Sequence, residues 1–149
     1  MATVFDVAEW FLHRKSFTHK QLQKLCYYAQ AWHYVLLKEK LFDEEIQAWI
    51  HGPVCPALYA RYASYGWESI KKMRGKSPIF SDKTLSVLWA VYNTYSKLTG
   101  AQLEALTHSE LPWRKARGNL KPYEPCENKI SCESMMTYYG QKFKEAQGD

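Results

Sequence analysis

The sequence predicts a mainly α fold: a compact single domain over residues 1–149, with about five to seven helices and a short β element near residues 45–51. Three observations predict it. Apolar residues recur at three- and four-residue spacing along most of the chain. Thr followed three positions later by Asp or Gln, the pattern of a helix-opening capping box, precedes several of these runs. One segment alone switches to strict alternation.

Thr3 and Asp6 form the first box. Val4, Val7, Ala8, Phe11 and Leu12 follow at helical spacing, which predicts a helix from about Val4 to Arg14. Thr18 and Gln21 open a longer helix running to about Lys38, with Leu22, Leu25, Cys26, Ala29, Trp32 and Leu36 as its buried stripe. Few charges interrupt its middle, so it is expected to be the central helix. Ile46, Ala48 and Ile50 then alternate with Gln47, Trp49 and His51, which predicts a short strand ended by Gly52-Pro53. Pro56 suits the first turn of a third helix, where its missing N–H costs nothing; Leu58, Tyr59, Tyr62 and Ala63 give it a face and Gly66 closes it. Residues 67–80 stay open between a short helix or extended segment, followed by a basic loop ending at Ser77-Pro78. Ser81 or Asp82 caps the next helix, with Leu85, Leu88, Trp89 and Tyr92 on one face. Thr99 and Gln102 box a short helix carrying Leu103 and Leu106. Ser109 is expected to cap another, with Pro112 in its first turn and Trp113 inward. Residues 118–129 predict a loop, and Ser131 the start of a last helix with Met135, Tyr138, Tyr139 and Phe143.

A chain of this length buries about 70% of its unfolded surface and needs no metal or disulfide to fold. The net charge is +5, spread along the chain. Its longest cluster, Lys71, Lys72, Arg74 and Lys76, reads as a solvated basic surface rather than a nucleic-acid footprint, so nucleic acid is not the expected partner. No leader pattern opens the chain, and no apolar run reaches the ~18 residues a membrane span needs. The expectation is a cytoplasmic protein without a membrane partner. Cys26, Cys55, Cys126 and Cys132 form no Cys-x-x-Cys pair and are expected to be free, mainly buried thiols.

The sharpest catalytic candidate is Cys55, which precedes the helix at Pro56, where a helix N-terminus lowers a thiol pKa, with His51 as base. No third orienting group accompanies them, and the expected role of Cys55 is a small apolar residue in a turn. His13, His19, His33, His51 and His108 include no pair at the i, i+4 spacing of helical zinc ligands. No Gly-rich phosphate loop is present. The chain is therefore not expected to be an enzyme, and no cofactor or metal is expected. The aromatic residues remain: eleven Tyr and six Trp exceed what a small core needs. Trp32, Trp89 and Trp113 are expected in the core. Tyr27 and Tyr28 point about 100° apart on one helix. Together with Tyr62 and Tyr65 they are candidate partner-binding residues, since exposed Tyr suits a protein interface.

Three blocks carry a resemblance: Lys24-Leu25-Cys26-Tyr27-Tyr28-Ala29-Gln30-Ala31-Trp32-His33; Ile46 through Gly52-Pro53-Val54-Cys55-Pro56 to Tyr59; and Leu103 through Thr107-His108-Ser109-Glu110, with Pro112-Trp113 and Ala116-Arg117. In this order they resemble the Panacea antitoxin domain family, which includes SocA-like and phage-associated GepA-like antitoxins. The closing helix with Tyr138-Tyr139 is similar too, so the resemblance extends over nearly the whole chain. It implies an antitoxin of a bacterial or prophage toxin–antitoxin pair that neutralises a co-encoded growth- or translation-inhibiting toxin by direct binding. The alternatives are an adaptor that delivers the toxin to a protease and, behind it, an uncharacterised enzyme using His51 and Cys55. Many members carry a further DNA-binding domain, which is not expected to fit in this chain. Self-association stays open. Of the family positions, Gln30, Trp32, Trp49, His51, Gly52, Pro53, Tyr59, His108 and Trp113 are expected to be structural.

Overall fold

The computed structural model describes residues 2–148, and among these it contains seven α-helices and two small sheets. Thr3 closes a capping box with Asp6 and starts α1, Val4–Arg14. A short strand β1, Phe17–Thr18, leads into α2, His19–Leu37, boxed by Thr18 and Gln21. Strands β2, Gln47–Trp49, and β3, Gly52–Val54, precede α3, Pro56–Tyr62, and a 3-10 turn, Ala63–Tyr65. Strand β4, Ser69–Ile70, is followed by α4, Asp82–Tyr95; α5, Gly100–Ser109; α6, Leu111–Arg117; and α7, Cys132–Ala146. All three capping boxes form as their spacing predicts.

Helix α2 lies at the centre, in contact with α1, α3, α4, α5 and α7 and with β1 and β3. It is buried almost all round, so the single stripe expected for it is too narrow. Leu36, placed on that stripe, is exposed, while Gln23, Lys24, Gln30 and His33 are buried. A helix enclosed on every side must supply partners for each polar group it carries inward. Those partners are mostly backbone atoms of neighbouring loops, as described below.

The predicted strand is half of a hairpin. Gly52-Pro53 does not end it: β3 returns antiparallel, pairing Trp49 with Gly52 and Ala48 with Pro53 across a turn at Ile50-His51. Pro53 is tolerated because Ala48 spends its backbone groups elsewhere. Its N–H donates to Asn128 O at 2.9 Å, and its carbonyl accepts from Arg117 Nη1 at 3.0 Å. Buried Arg117 also donates to the carbonyls of Lys121 and Glu124, so one guanidinium ties the hairpin to the 118–129 loop. The open segment 67–80 is extended. Its β4 pairs with β1, Phe17 opposite Ile70, a contact between segments that local periodicity does not reveal.

Two helix assignments shift. In α4 the buried face is Thr84, Val87, Leu88, Val91 and Tyr95. Trp89, expected in the core, is 42% exposed and lies edge-on to Trp10 with ring centroids 5.0 Å apart. The N-cap of α6 is Glu110, not Ser109, whose hydroxyl donates back to Leu106 O within α5. Among the described residues no helix is long and apolar enough to cross a membrane.

Candidate functional site

The residues of the three blocks meet where α2, the β2–β3 hairpin, α5 and α6 converge. Gln23 reads both backbone groups of Cys55, accepting from its N–H at 2.9 Å and donating to its carbonyl at 3.3 Å. The next residue, Lys24, is 1% exposed and donates from Nζ to Pro53 O at 3.1 Å. Burial, followed by repulsion from Lys20, pushes its pKa down to about 7. Gly52 has φ +111°, and a Cβ there would sit 2.8 Å from Lys24 Cε and 3.0 Å from Thr107 Oγ1. The hairpin can approach α2 this closely only with glycine. Outside this seam, exposed His51 and Lys20 both hold Glu104, His51 Nδ1 at 3.2 Å. Burial opposes ionisation of Glu104, but its hydrogen bonds from Lys20 and His51 outweigh it and lower its pKa. His108 stacks on Trp113 with centroids 3.9 Å apart, and Trp113 Nε1 donates to Trp49 O at 2.8 Å.

Farther along α2, Gln30 accepts from Leu41 N at 2.8 Å and donates to Phe42 O at 2.6 Å, folding the chain back after the helix. That reversal includes Lys38 in the left-handed region, φ 60°. Trp32 Nε1 donates to Tyr95 OH at 3.0 Å. Tyr27 and Tyr28, candidates for a partner surface, are 1% and 0% exposed, and this corrects their placement. They do diverge, but α4 and α7 cover the two sides. Tyr28 stacks on Tyr95 of α4 at 3.9 Å and donates to Glu110 Oε1 at 2.7 Å. Tyr139 of α7 donates to the same oxygen at 2.8 Å and bonds Tyr27 OH at 3.0 Å. Burial, outweighing these hydrogen bonds, raises the pKa of Glu110.

The Cys55–His51 pair does not assemble. Cys55 is 2% exposed, and burial raises its thiol pKa despite the backbone N–H groups of Leu58 and Ala57. The lowered pKa expected from the helix start is overturned, because α3 is only seven residues long and the thiol faces inward. His51 turns outward to Glu104. The four cysteines are free, and among the described residues no three His, Cys, Asp or Glu side chains gather as a metal site.

A row of rings, partly open to solvent, runs along α3. Trp49, Tyr59, His19, Tyr62 and Tyr65 follow one another at centroid separations of 5.1, 5.2, 6.2 and 6.1 Å. Tyr59 and Tyr65 are 43% and 41% exposed; Tyr62 is largely buried beneath them. Burial and Lys24 push the pKa of His19 down to about 4, so the ring is neutral near pH 7 and joins the row as an aromatic. Trp67, 83% exposed, extends the patch, with Lys20 Nζ 5.8 Å from its ring centroid. Of these exposed rings the sequence reading singled out Tyr65 as partner-binding, but not Tyr59 or Trp67. It also missed Lys24, Glu110 and Arg117. The available signal was a charged residue set among apolar positions, such as Lys24 between Leu22 and Leu25.

Residues 22–114 match the family model described as "Antitoxin SocA-like, Panacea domain". The match runs from within α2 to within α6 and contains the rings of that row except His19. It is narrower than the near-full-length resemblance, since Ala116-Arg117 and Tyr138-Tyr139 lie outside it. No curated protein and no solved structure matches the chain.

Proposed function

The chain belongs to the family of SocA-like antitoxins with a Panacea domain, and from that premise we propose that it neutralises a co-encoded toxin in the cytoplasm by binding it directly. The observation that carries this reading is the family match over residues 22–114. The side-chain geometry supports binding rather than catalysis. Buried polar residues in and beside the blocks are occupied with groups of their own fold, as Gln23, Gln30 and Lys24 illustrate. The exposed rings along α3 are the kind of surface that anchors protein partners. Residues 1–149 act as one domain in this reading, because α2 is gripped by helices from both ends of the chain.

The test is co-expression with the product of the adjacent gene. A toxic neighbour should lose its effect on growth, and the two proteins should elute as one complex with the toxin's half-life unchanged. A shortened half-life that requires a host protease would replace blocking with delivery. A toxic neighbour that continues to arrest growth in the presence of this protein would refute the reading.

A further inference from the structure

Beside the exposed rings, a hollow of about 420 Å3 lies against α1, the 3-10 turn and β4. Its walls include Leu12, Tyr62, Tyr65, Ile70 and Met73, and exposed Glu68 and Lys71 also face it. The chain leaving this hollow carries Lys71, Lys72, Arg74 and Lys76, all exposed. None of the four makes an ion pair or side-chain hydrogen bond among the described residues; the ion pairs there are Lys20–Glu104, His51–Glu104 and Arg61–Glu9. The nearest acidic residues in sequence are Glu68 and Asp82, two against four. The segment is nevertheless anchored. Met73 N donates to Leu12 O at 2.9 Å, and Arg14 Nη2 donates to Ser77 Oγ at 2.8 Å.

Resting on the antitoxin reading, we propose that this face receives the toxin, through an acidic segment whose apolar side chain seats in the hollow. An apolar recess beside uncompensated positive charge attracts a partner of opposite charge and repels basic surfaces, which raises the association rate and fixes the register. Tyr65 and partly buried Met73 offer apolar surface to a side chain, over a floor of buried Leu12 and Ile70. Nucleic-acid bases instead need open ring faces in series along a cationic track. Here the unpaired cations occupy one short stretch, and of the two rings that line the hollow only Tyr65 is open, since Tyr62 is 8% exposed. The occupant is therefore a protein segment.

The experiment titrates the purified product of the adjacent gene into the full chain and three variants. One variant reverses charge, Lys71→Glu with Lys72→Glu, Arg74→Glu and Lys76→Glu. Another removes rings, Tyr65→Ala with Trp67→Ala. The control, Met136→Ala with Phe143→Ala, alters exposed apolar residues of α7. Thermal melting of each variant comes first, and the four basic side chains make no ion pair or hydrogen bond among the described residues whose loss should lower it. The charge-reversed variant is expected to bind at least about tenfold more weakly, with the wild-type affinity falling steeply as salt is added. The ring variant should bind about tenfold more weakly with little change in salt dependence, and the α7 control should bind like the wild type. Wild-type affinity in both face variants overturns this inference while leaving the antitoxin reading intact. A wild-type chain that does not bind the product removes both. Tight binding of an oligonucleotide that charge reversal abolishes, with the toxin still held, assigns the face to nucleic acid and overturns the inference.

Discussion

At Lys24 a side chain that is charged in water lies enclosed between α2 and the hairpin, donating to one carbonyl. Burial pushes its pKa down to about 7, from 10.5 in the unfolded chain. Below the folded value both states carry the proton. Between about 7 and 10.5 the unfolded chain binds it and the folded chain does not, so the Lys24 contribution makes stability rise with pH across that window. Lys24→Met should flatten this rise by about 2 kcal/mol between pH 7 and pH 9, measured by urea unfolding at both. A slope identical to the wild type would show that Lys24 is charged in the folded chain. Gly52 faces it at φ +111° with no room for a Cβ. Gly52→Ala should cost about 2 kcal/mol or more, read as a lowered melting temperature, from backbone strain and displacement of Lys24. The glycine and its Pro53 neighbour were legible as a turn; the lysine that fills the space above them was not, because periodicity cannot say whether a charge faces water.

The elements form as their end signals dictate, and tertiary contacts decide which faces they bury. Thr18→Ala removes the box that starts α2 and should cost about 1 kcal/mol in chemical denaturation. Helix α7 docks on α2 partly through Tyr139, which bonds both Tyr27 OH and Glu110 Oε1 within a buried cluster. Tyr139→Phe keeps the ring and removes both bonds, so a loss of about 1–3 kcal/mol is expected, against almost none for the exposed Tyr123→Phe. Equal melting temperatures for the two variants would show that the hydroxyl cluster adds nothing to the docking. Helix starts at Val4, His19 and Gly100 were legible because a cap acts within one turn. The β1–β4 pairing was not, since it joins Phe17 to Ile70 far away in sequence. The inward face of α4 also differs from its apolar stripe, since Trp89 and Tyr92 pack at the flank while Thr84 and Tyr95 face α2 residues.

For the molecule as a whole, antitoxin action by binding predicts that Cys55→Ser leaves neutralisation of the adjacent gene's toxin intact, even if melting shows a modest loss of stability. Growth arrest by that toxin in cells carrying the serine variant, with the variant still folded, would return Cys55 to a chemical role. The basic, ring-bearing face beside α3 should instead govern toxin affinity. By itself, the sequence determined the helical class, most of the helix starts, the hairpin's first strand and the three blocks that identify the family, because caps, periodicity and motif order are local properties of the chain. Only the tertiary structure decided that Tyr27 and Tyr28 are covered while Tyr59, Tyr65 and Trp67 face water. The reason is geometric: a helix enclosed by neighbours on all sides buries even rings that diverge, and the number of neighbours is a property of the assembled fold.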